Sequence, residues 1–176
     1  MCLRFLPALL LVALCGCGRP PELADLVVRA GSDRELKAFR DEVGRRFPAA
    51  ELANLDAALK EIRVEALERD ISPADAREEY LRAAVHGRTV AEVLVRGWAA
   101  RRARLEVERR YLDDLLRQDL GRQEKAPSES LAARIGAARE VLGRVERNLA
   151  ETEAQLAAWA RAGRGPGADA PSSGRR

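Results

Sequence analysis

The chain has 176 residues, of which 47% are apolar, 34% are charged and 4% are aromatic, and its formal net charge is +3. This apolar content is sufficient for a core and excludes a disordered polyelectrolyte, whereas the scarcity of aromatic residues argues against an all-β sandwich. The length fits one domain, or a small domain with an appendage, and the charge content excludes a multi-pass membrane protein.

The N-terminal sequence MCLRFLPALLLVALCGC indicates an export signal. Arg4 precedes an apolar run of about nine residues, which is too short to cross a bilayer. Residues 14–17 resemble a bacterial lipobox, although Cys15 stands where a small residue is more usual. Cleavage would remove residues 1–16 as a signal peptide and leave Cys17 to be lipidated. An ordinary secretory signal with incidental cysteines is the alternative.

Lipidation of Cys17 would anchor the chain to a membrane. The membrane is therefore one of its two predicted partners, and an envelope protein is the other. Export would place the chain in the cell envelope, facing the periplasm. Gly18 occupies the position at which an Asp retains sorted lipoproteins in the inner membrane, so the resemblance favours the outer membrane. No second cysteine would remain after cleavage, and we therefore expect no disulfide.

Residues 17–31 are expected to form the lipidated N-terminus and a tether, because Pro20, Pro21 and Gly31 disfavour regular structure. A brief extended piece is expected at residues 26–28. Residues 32–88 then predict a subdomain of short helices.

The first of these helices begins at a capping box formed by Ser32 and Glu35, and Pro48 marks its end. Leu52, Leu55, Leu59 and Ile62 recur at helical spacing in a second helix that extends to about residue 69. Residues 72–75 predict a third helix with Pro73 at its first position. Gly87 is expected to end that helix.

Residues 89–162 predict a long helical hairpin. Thr89 and Glu92 form a second capping box, from which a helix runs to about residue 120 with Gly97 as a cost of about 1 kcal/mol. Residues 121–127 predict the turn, and the last helix is expected from about residue 128 to 161. Its apolar positions alternate gaps of four and three residues, which is typical of a coiled coil. All of these positions except Thr152 are apolar: Leu131, Ile135, Ala138, Leu142, Val145, Leu149, Thr152, Leu156 and Trp159.

The predicted fold is therefore all-α, with short N-terminal helices packed near a long, coiled-coil-like antiparallel hairpin. A turn centred near residue 124 would set Trp98 opposite Thr152, and Trp159 opposite the first turn of the preceding helix. Both tryptophans are interpreted as core residues. Residues 163–176 are rich in Gly, Pro and Ser and predict a disordered tail.

A cluster of arginines at 101, 102, 104, 109 and 110 could indicate binding to nucleic acid or anionic lipid. However, Arg102 precedes Glu106 by four residues, and Arg104 and Glu106 stand in the same relation to Glu108 and Arg110. This spacing places opposite charges side by side on a helix. We therefore expect a solvated, ion-paired face and no nucleic-acid partner.

His86 is the single histidine of the chain, and no cysteine set or nucleophile motif accompanies it. It is interpreted as a residue at a helix C-terminus. The adjacent Asp113 and Asp114 point apart on a helix and are interpreted as surface residues. We therefore expect no catalytic residue, no cofactor-binding residue and no metal site. A small hydrolase that uses His86 remains a minor alternative.

Residues 87–93, Gly-Arg-Thr-Val-Ala-Glu-Val, resemble a Gly-Lys-Thr-x-x-Glu-Val motif found in small bacterial lipoproteins of unknown function, with Arg88 in place of Lys. The likeness extends over residues 1–96 and does not include the long hairpin. It implies an anchored, helical envelope protein and no particular activity. The matching stretches are the lipobox at Cys17 and residues 31–37, 52–62 and 81–94.

These features predict a lipid-anchored, non-catalytic helical interaction or scaffold protein of the bacterial cell envelope. Its expected partner is another envelope protein, and self-association through the coiled coil is left open. The alternative function is a periplasmic holdase or an envelope-stress factor.

Overall fold

A computed structural model describes residues 22–162, which form a 3₁₀ turn and five α-helices. The predicted all-α fold with a long antiparallel hairpin is confirmed. The predicted signal peptide at 1–16, the lipidation site Cys17 and the predicted tail at 163–176 lie outside the described residues. The elements are the 3₁₀ turn Leu23–Asp25 and the helices α1 (Asp33–Arg46), α2 (Ala49–Glu68), α3 (Ala74–Val85), α4 (Val90–Lys125) and α5 (Glu129–Ala162).

The predicted helix starts are largely confirmed. The Glu92 carboxylate accepts a hydrogen bond from the Thr89 amide at 2.7 Å, and the Thr89 hydroxyl accepts one from the Glu92 amide, which completes the capping box of α4. At α1 the Ser32 hydroxyl accepts from the Glu35 amide, but the Glu35 carboxylate accepts from Gly31 instead of Ser32. Only half of that predicted box therefore forms.

Helix α3 begins one residue later than predicted, because Pro73 is its extended N-cap and Ala74 its first helical residue. His86 caps its C-terminus, as expected. Gly87 follows with φ +73°, a left-handed conformation that side chains with a Cβ rarely adopt. The chain can therefore reverse directly into α4.

Residues 22–31 were predicted to form part of a tether, but in the structure they pack against the core. Val27 pairs with Thr89 in an antiparallel bridge. The Val28 amide donates to the Arg88 carbonyl at 2.8 Å, and the Val90 amide donates to the Leu26 carbonyl at 2.8 Å. This bridge confirms the extended piece and joins the N-terminal segment to the start of the hairpin. The buried side chains of the segment are Leu23, Ala24, Val28 and Ala30.

One main core joins α1, α2, α3 and the first turns of α4. Trp98 is 5% exposed within it, and Trp159 packs against it from the end of α5, so both tryptophans contribute to packing as predicted. The short helices and the base of the hairpin, which were predicted to meet near residue 88, therefore share this main core. Its largest fully buried side chains include Leu55, Leu59, Ile62, Leu81 and Leu94.

Gly97 lets α2 and α4 approach closely. A Cβ at position 97 would lie 2.6 Å from the Cα, Cβ and carbonyl oxygen of Ala58. Such a contact is far shorter than van der Waals distance, and the atoms opposite belong to backbone or to a short side chain that cannot rotate away. The glycine is therefore required by packing and is more than a tolerated helix position.

The hairpin seam has its own apolar cluster. Leu105 of α4 packs with Val145 and Leu149 of α5, and the partly buried Leu112 and Val141 extend the cluster. Thr152, the single polar residue of the predicted repeat, is fully buried. Its hydroxyl donates to the Asn148 carbonyl at 2.7 Å, so the polar group is satisfied inside its own helix.

The register of the hairpin differs from the predicted one. Helix α4 continues to Lys125 instead of ending near residue 120, which moves the turn and shifts the pairing by about one helical turn. As a result Asp119 lies opposite Arg134. The predicted pairing of Trp98 with Thr152 was based on a turn centred near residue 124, whereas the turn in the structure follows Lys125.

Asp119 is a buried charge near the tip of the hairpin, with no exposed surface. Arg134 binds it with both arms of the guanidinium, the Nε–Oδ2 distance being 2.6 Å. Arg122 adds a longer contact at 3.7 Å. The hydrogen bond from Arg134 is the main reason why the pKa of Asp119 is lowered from its ordinary value.

Gly97→Ala is expected to destabilise the protein although alanine favours helix, because the added methyl would collide with Ala58. Gly136 lies in α5 with no heavy atom near its would-be Cβ, so Gly136→Ala should stabilise by about 0.5–1 kcal/mol. Urea unfolding followed by circular dichroism measures both changes. Stabilisation by both variants would contradict the close α2–α4 contact.

Arg134→Gln is expected to lower the free energy of unfolding by an amount that depends on pH. The pKa of Asp119 is lower in the folded chain than in the unfolded one, so the pair stabilises fully above about pH 4 and loses its effect as the pH falls through the folded-state value. The difference from the unmodified chain should therefore be largest near pH 7 and shrink in acid. The exposed Arg139, changed to Gln, is the control, and equal pH dependence in both variants would refute the assignment.

Candidate interaction surface

The clearest surface feature is a groove on α4 beyond the point where α2 ends. Helix α2 stops at Glu68, whereas α4 continues to Lys125, so one face of α4 loses its neighbour. The groove has a volume of about 600 Å³. Its lining residues are Glu68, Ala103, Arg104, Val107, Glu108 and Tyr111.

The floor of this groove is apolar and open to water. Val107 is 60% exposed and Tyr111 is 67% exposed. With Ala103 they are spaced four residues apart, which places all three on one face of α4. Leu67, which is 52% exposed at the end of α2, lies next to the lining residue Glu68. Among residues 22–162, two of the four exposed large apolar side chains therefore line the groove.

The charges that line the groove are unevenly balanced. Arg104 donates to both carboxylate oxygens of Glu61 at 2.9 and 3.0 Å, so its charge is neutralised by α2. Glu68 and Glu108 make no ion pair with any other described residue. The groove therefore combines an apolar floor with two carboxylates that retain an unmatched negative charge.

A second groove of about 390 Å³ continues the first along α4 and shares Glu68 and Ala103 with it. Its floor consists of short side chains, because Ala99 and Ala100 line it beside Ala103. The two grooves together expose α4 as one strip from Arg96 to Tyr111.

In the second groove two arginines share one carboxylate. Glu65 binds Arg69 at 2.8 Å and Arg96 at 3.4 Å, and Arg96 also donates to the Tyr80 hydroxyl. Burial would raise the pKa of Glu65, but the hydrogen bond from Tyr80 and the two arginine charges outweigh this effect and lower it. This end of the strip is therefore not acidic.

Only one of the three ion pairs predicted within the arginine cluster forms. The Arg102–Glu106 pair forms at 3.4 Å. The predicted Arg104–Glu108 pair is wrong, because the buried Glu61 takes the Arg104 guanidinium. Arg110 donates from Nε to the Glu106 carbonyl and makes no pair with the Glu106 carboxylate.

Two further members of the cluster lie against the protein. The Arg101 guanidinium stacks over Trp98 at 5.3 Å, and the Nε of Arg109 is buried with no hydrogen-bond acceptor among the described residues. Of the predicted surface carboxylates, Asp114 pairs with Arg117 at 2.8 Å. The cluster therefore contributes to packing and ion pairing and does not form a uniform basic patch.

His86 contributes to the fold through its ring. Its Nδ1 accepts a hydrogen bond from the Ala30 amide at 3.1 Å. Since Ala30 is fully buried, this contact satisfies an amide that water cannot reach. Within residues 22–162, no group of three or more His, Cys, Asp or Glu side chains is arranged to hold a metal ion.

Cys17, the predicted lipidation site, lies outside the residues that the structure describes. None of the described helices is both long enough and apolar enough to cross a membrane. Comparison with protein-family models, with curated proteins and with solved structures finds no match for this chain.

Sequence reasoning did not identify the groove. Val107 and Tyr111 lie outside the stripe of α4 that faces α5, so they do not belong to the seam pattern. Their four-residue spacing next to Ala103 was the available signal. Whether this face of α4 is covered or open to water depends on where α2 ends in the folded chain. The spacing of residues along α4 does not show where α2 ends.

Val107→Ser and Tyr111→Ser are each expected to change the free energy of unfolding by less than about 0.5 kcal/mol, because both side chains face water. Leu105→Ala in the neighbouring seam, where the side chain is 4% exposed, should cost about 2–5 kcal/mol. Chemical denaturation compares the three variants. A loss at position 107 or 111 as large as that at 105 would mean that the groove is part of the core.

Proposed function

We propose that this chain is a lipid-anchored, non-catalytic interaction or scaffold protein of the bacterial cell envelope. Cys17 would hold it at the membrane, facing the periplasm, and Gly18 favours the outer membrane. Its partner would be another envelope protein. The observation that carries the proposal is the groove on α4, where Val107 and Tyr111 are exposed beside unmatched carboxylates.

The position of the groove suits a protein anchored by its N-terminus. Residues 22–31 are fixed to the base of the hairpin through the bridge between Val27 and Thr89. Val107 lies further along α4 from Val90, at a distance of about 25 Å for a rise of 1.5 Å per residue. An anchor near the base would therefore leave the groove directed away from the lipid surface and open to a partner.

A holdase or an envelope-stress factor is the alternative function, and the surface gives it less support. A holdase needs apolar area for clients of many sequences. Within residues 22–162 the exposed large apolar side chains are Val27, Leu67, Val107 and Tyr111. One narrow groove suits a defined partner better than it suits unfolded chains in general.

In-cell photo-crosslinking tests the proposal. A photoreactive residue at position 107 should give one discrete crosslinked product, whereas the same residue at the exposed position 27 should give none. The crosslinked chain should fractionate with membranes, and Cys17→Ser should release it because two or three acyl chains provide the anchor.

Three results would contradict the proposal. The first is incorporation of labelled fatty acid into the Cys17→Ser variant, which would refute the anchor. The second is an equal yield of products from positions 107 and 27, which would refute the groove as the binding surface. The third is suppression of aggregation of a denatured test protein at near-stoichiometric ratio, which would favour the holdase.

A further inference from the structure

We infer that the groove on α4 binds an amphipathic helix of a partner protein, in which the apolar stripe is flanked by Lys or Arg. This inference rests on the proposed interaction function and names the chemistry of the partner at that surface.

The shape of the surface indicates an elongated occupant. The two grooves share Glu68 and Ala103 and together follow α4 from Arg96 to Tyr111, a length of about 22 Å at 1.5 Å per residue. This length matches roughly four turns of a helix. The alanine floor allows a second helix to approach at the usual interaxial distance of about 8–10 Å.

The apolar contacts concentrate at one end of the strip. Val107 and Tyr111 are the large side chains there, and neither is covered by another part of the described chain. Tyrosine is among the residues that most often dominate binding energy at interfaces. A partner helix with apolar residues three and four positions apart would cover both side chains at once.

The sign of the flanking charge follows from the ion pairs. Glu61 binds the Nη2 of Arg104, so the charge of this cation is already paired, although its buried Nε has no acceptor among the described residues. Glu68 and Glu108 are left without a cationic partner among the residues described. A helix with Lys or Arg beside its apolar stripe would supply both missing charges, and an acidic helix would be repelled.

The same charges argue against a second copy of this chain as the occupant. In a two-fold contact the same surface meets itself, and Glu68 and Glu108 would face their own copies. Among residues 22–162 no other helix presents a pair of exposed large apolar side chains. A copy could therefore not supply a basic apolar stripe from another of these helices.

The test measures binding of two labelled peptides of about eighteen residues to the full-length Cys17→Ser chain by fluorescence anisotropy. Both peptides carry Leu at i, i+3, i+4 and i+7, and the polar positions are Lys in one and Glu in the other. The Lys peptide should bind more tightly. Val107→Ser combined with Tyr111→Ser should weaken its binding about tenfold, and Val27→Ser should leave it unchanged.

Charge variants separate the groove from general attraction to the protein. Glu68→Gln with Glu108→Gln should reduce the preference for the Lys peptide about fivefold. Glu140→Gln with Glu153→Gln removes the same charge from exposed positions of α5 and should have no effect. Equal effects of the two double variants would overturn the inference, and so would equal binding of the Lys and Glu peptides.

Two further results distinguish this inference from the proposed function. A discrete crosslink from position 107 in cells, together with no preference for the Lys peptide, would refute the basic helix and leave the interaction function standing. Self-association of the chain that is abolished by Val107→Ser would instead identify a second copy as the occupant and overturn the inference.

Discussion

The close approach of α2 to α4 at Gly97 and Ala58 determines how the short helices pack on the hairpin. A Cβ at Gly97 would collide with backbone, so this one position sets how deeply the bundle of short helices seats on the hairpin. That seating buries Trp98 in the main core and brings Glu61 within reach of Arg104. It also sets which part of α4 the end of α2 lies against, and therefore where the face of α4 that contains Val107 becomes open to water.

The hairpin is held by a different balance of forces along its length. Near the base, α4 and α5 share the main core, and further out the seam narrows to the cluster around Leu105 and Val145. Near the tip the ion pair of Asp119 and Arg134 lies beside the buried side chains of Ile135 and Ala138. Asp119 is buried and Arg134 is about half exposed, so removing Arg134 would leave a buried carboxylate without its main partner. This pair therefore adds a specific contact between α4 and α5 to the hydrophobic packing near the tip.

Arginine supplies most of the long-range polar contacts between helices. The chain contains 28 arginines and 3 lysines. In the fold, arginine forks join α1 to α2 through Asp56, α2 to α3 through Glu78, and α2 to α4 through Glu61. In the pairs with Asp56 and Glu78, two guanidinium nitrogens bind the two carboxylate oxygens in parallel, a geometry that the single nitrogen of lysine cannot form.

Sequence patterns alone predict the all-α class, the capping box at Thr89, the reversal at Gly87 and the coiled-coil seam of α5, because each depends on residues within a few turns of one another. Other features follow only from contacts between helices: residues 22–31 join the core, Arg104 binds Glu61 in preference to Glu108, and packing requires Gly97. Periodicity shows which face of a helix is apolar. Which helix lies against that face, and where it ends, depends on contacts between residues far apart in the chain, and the groove on α4 is one result of those contacts.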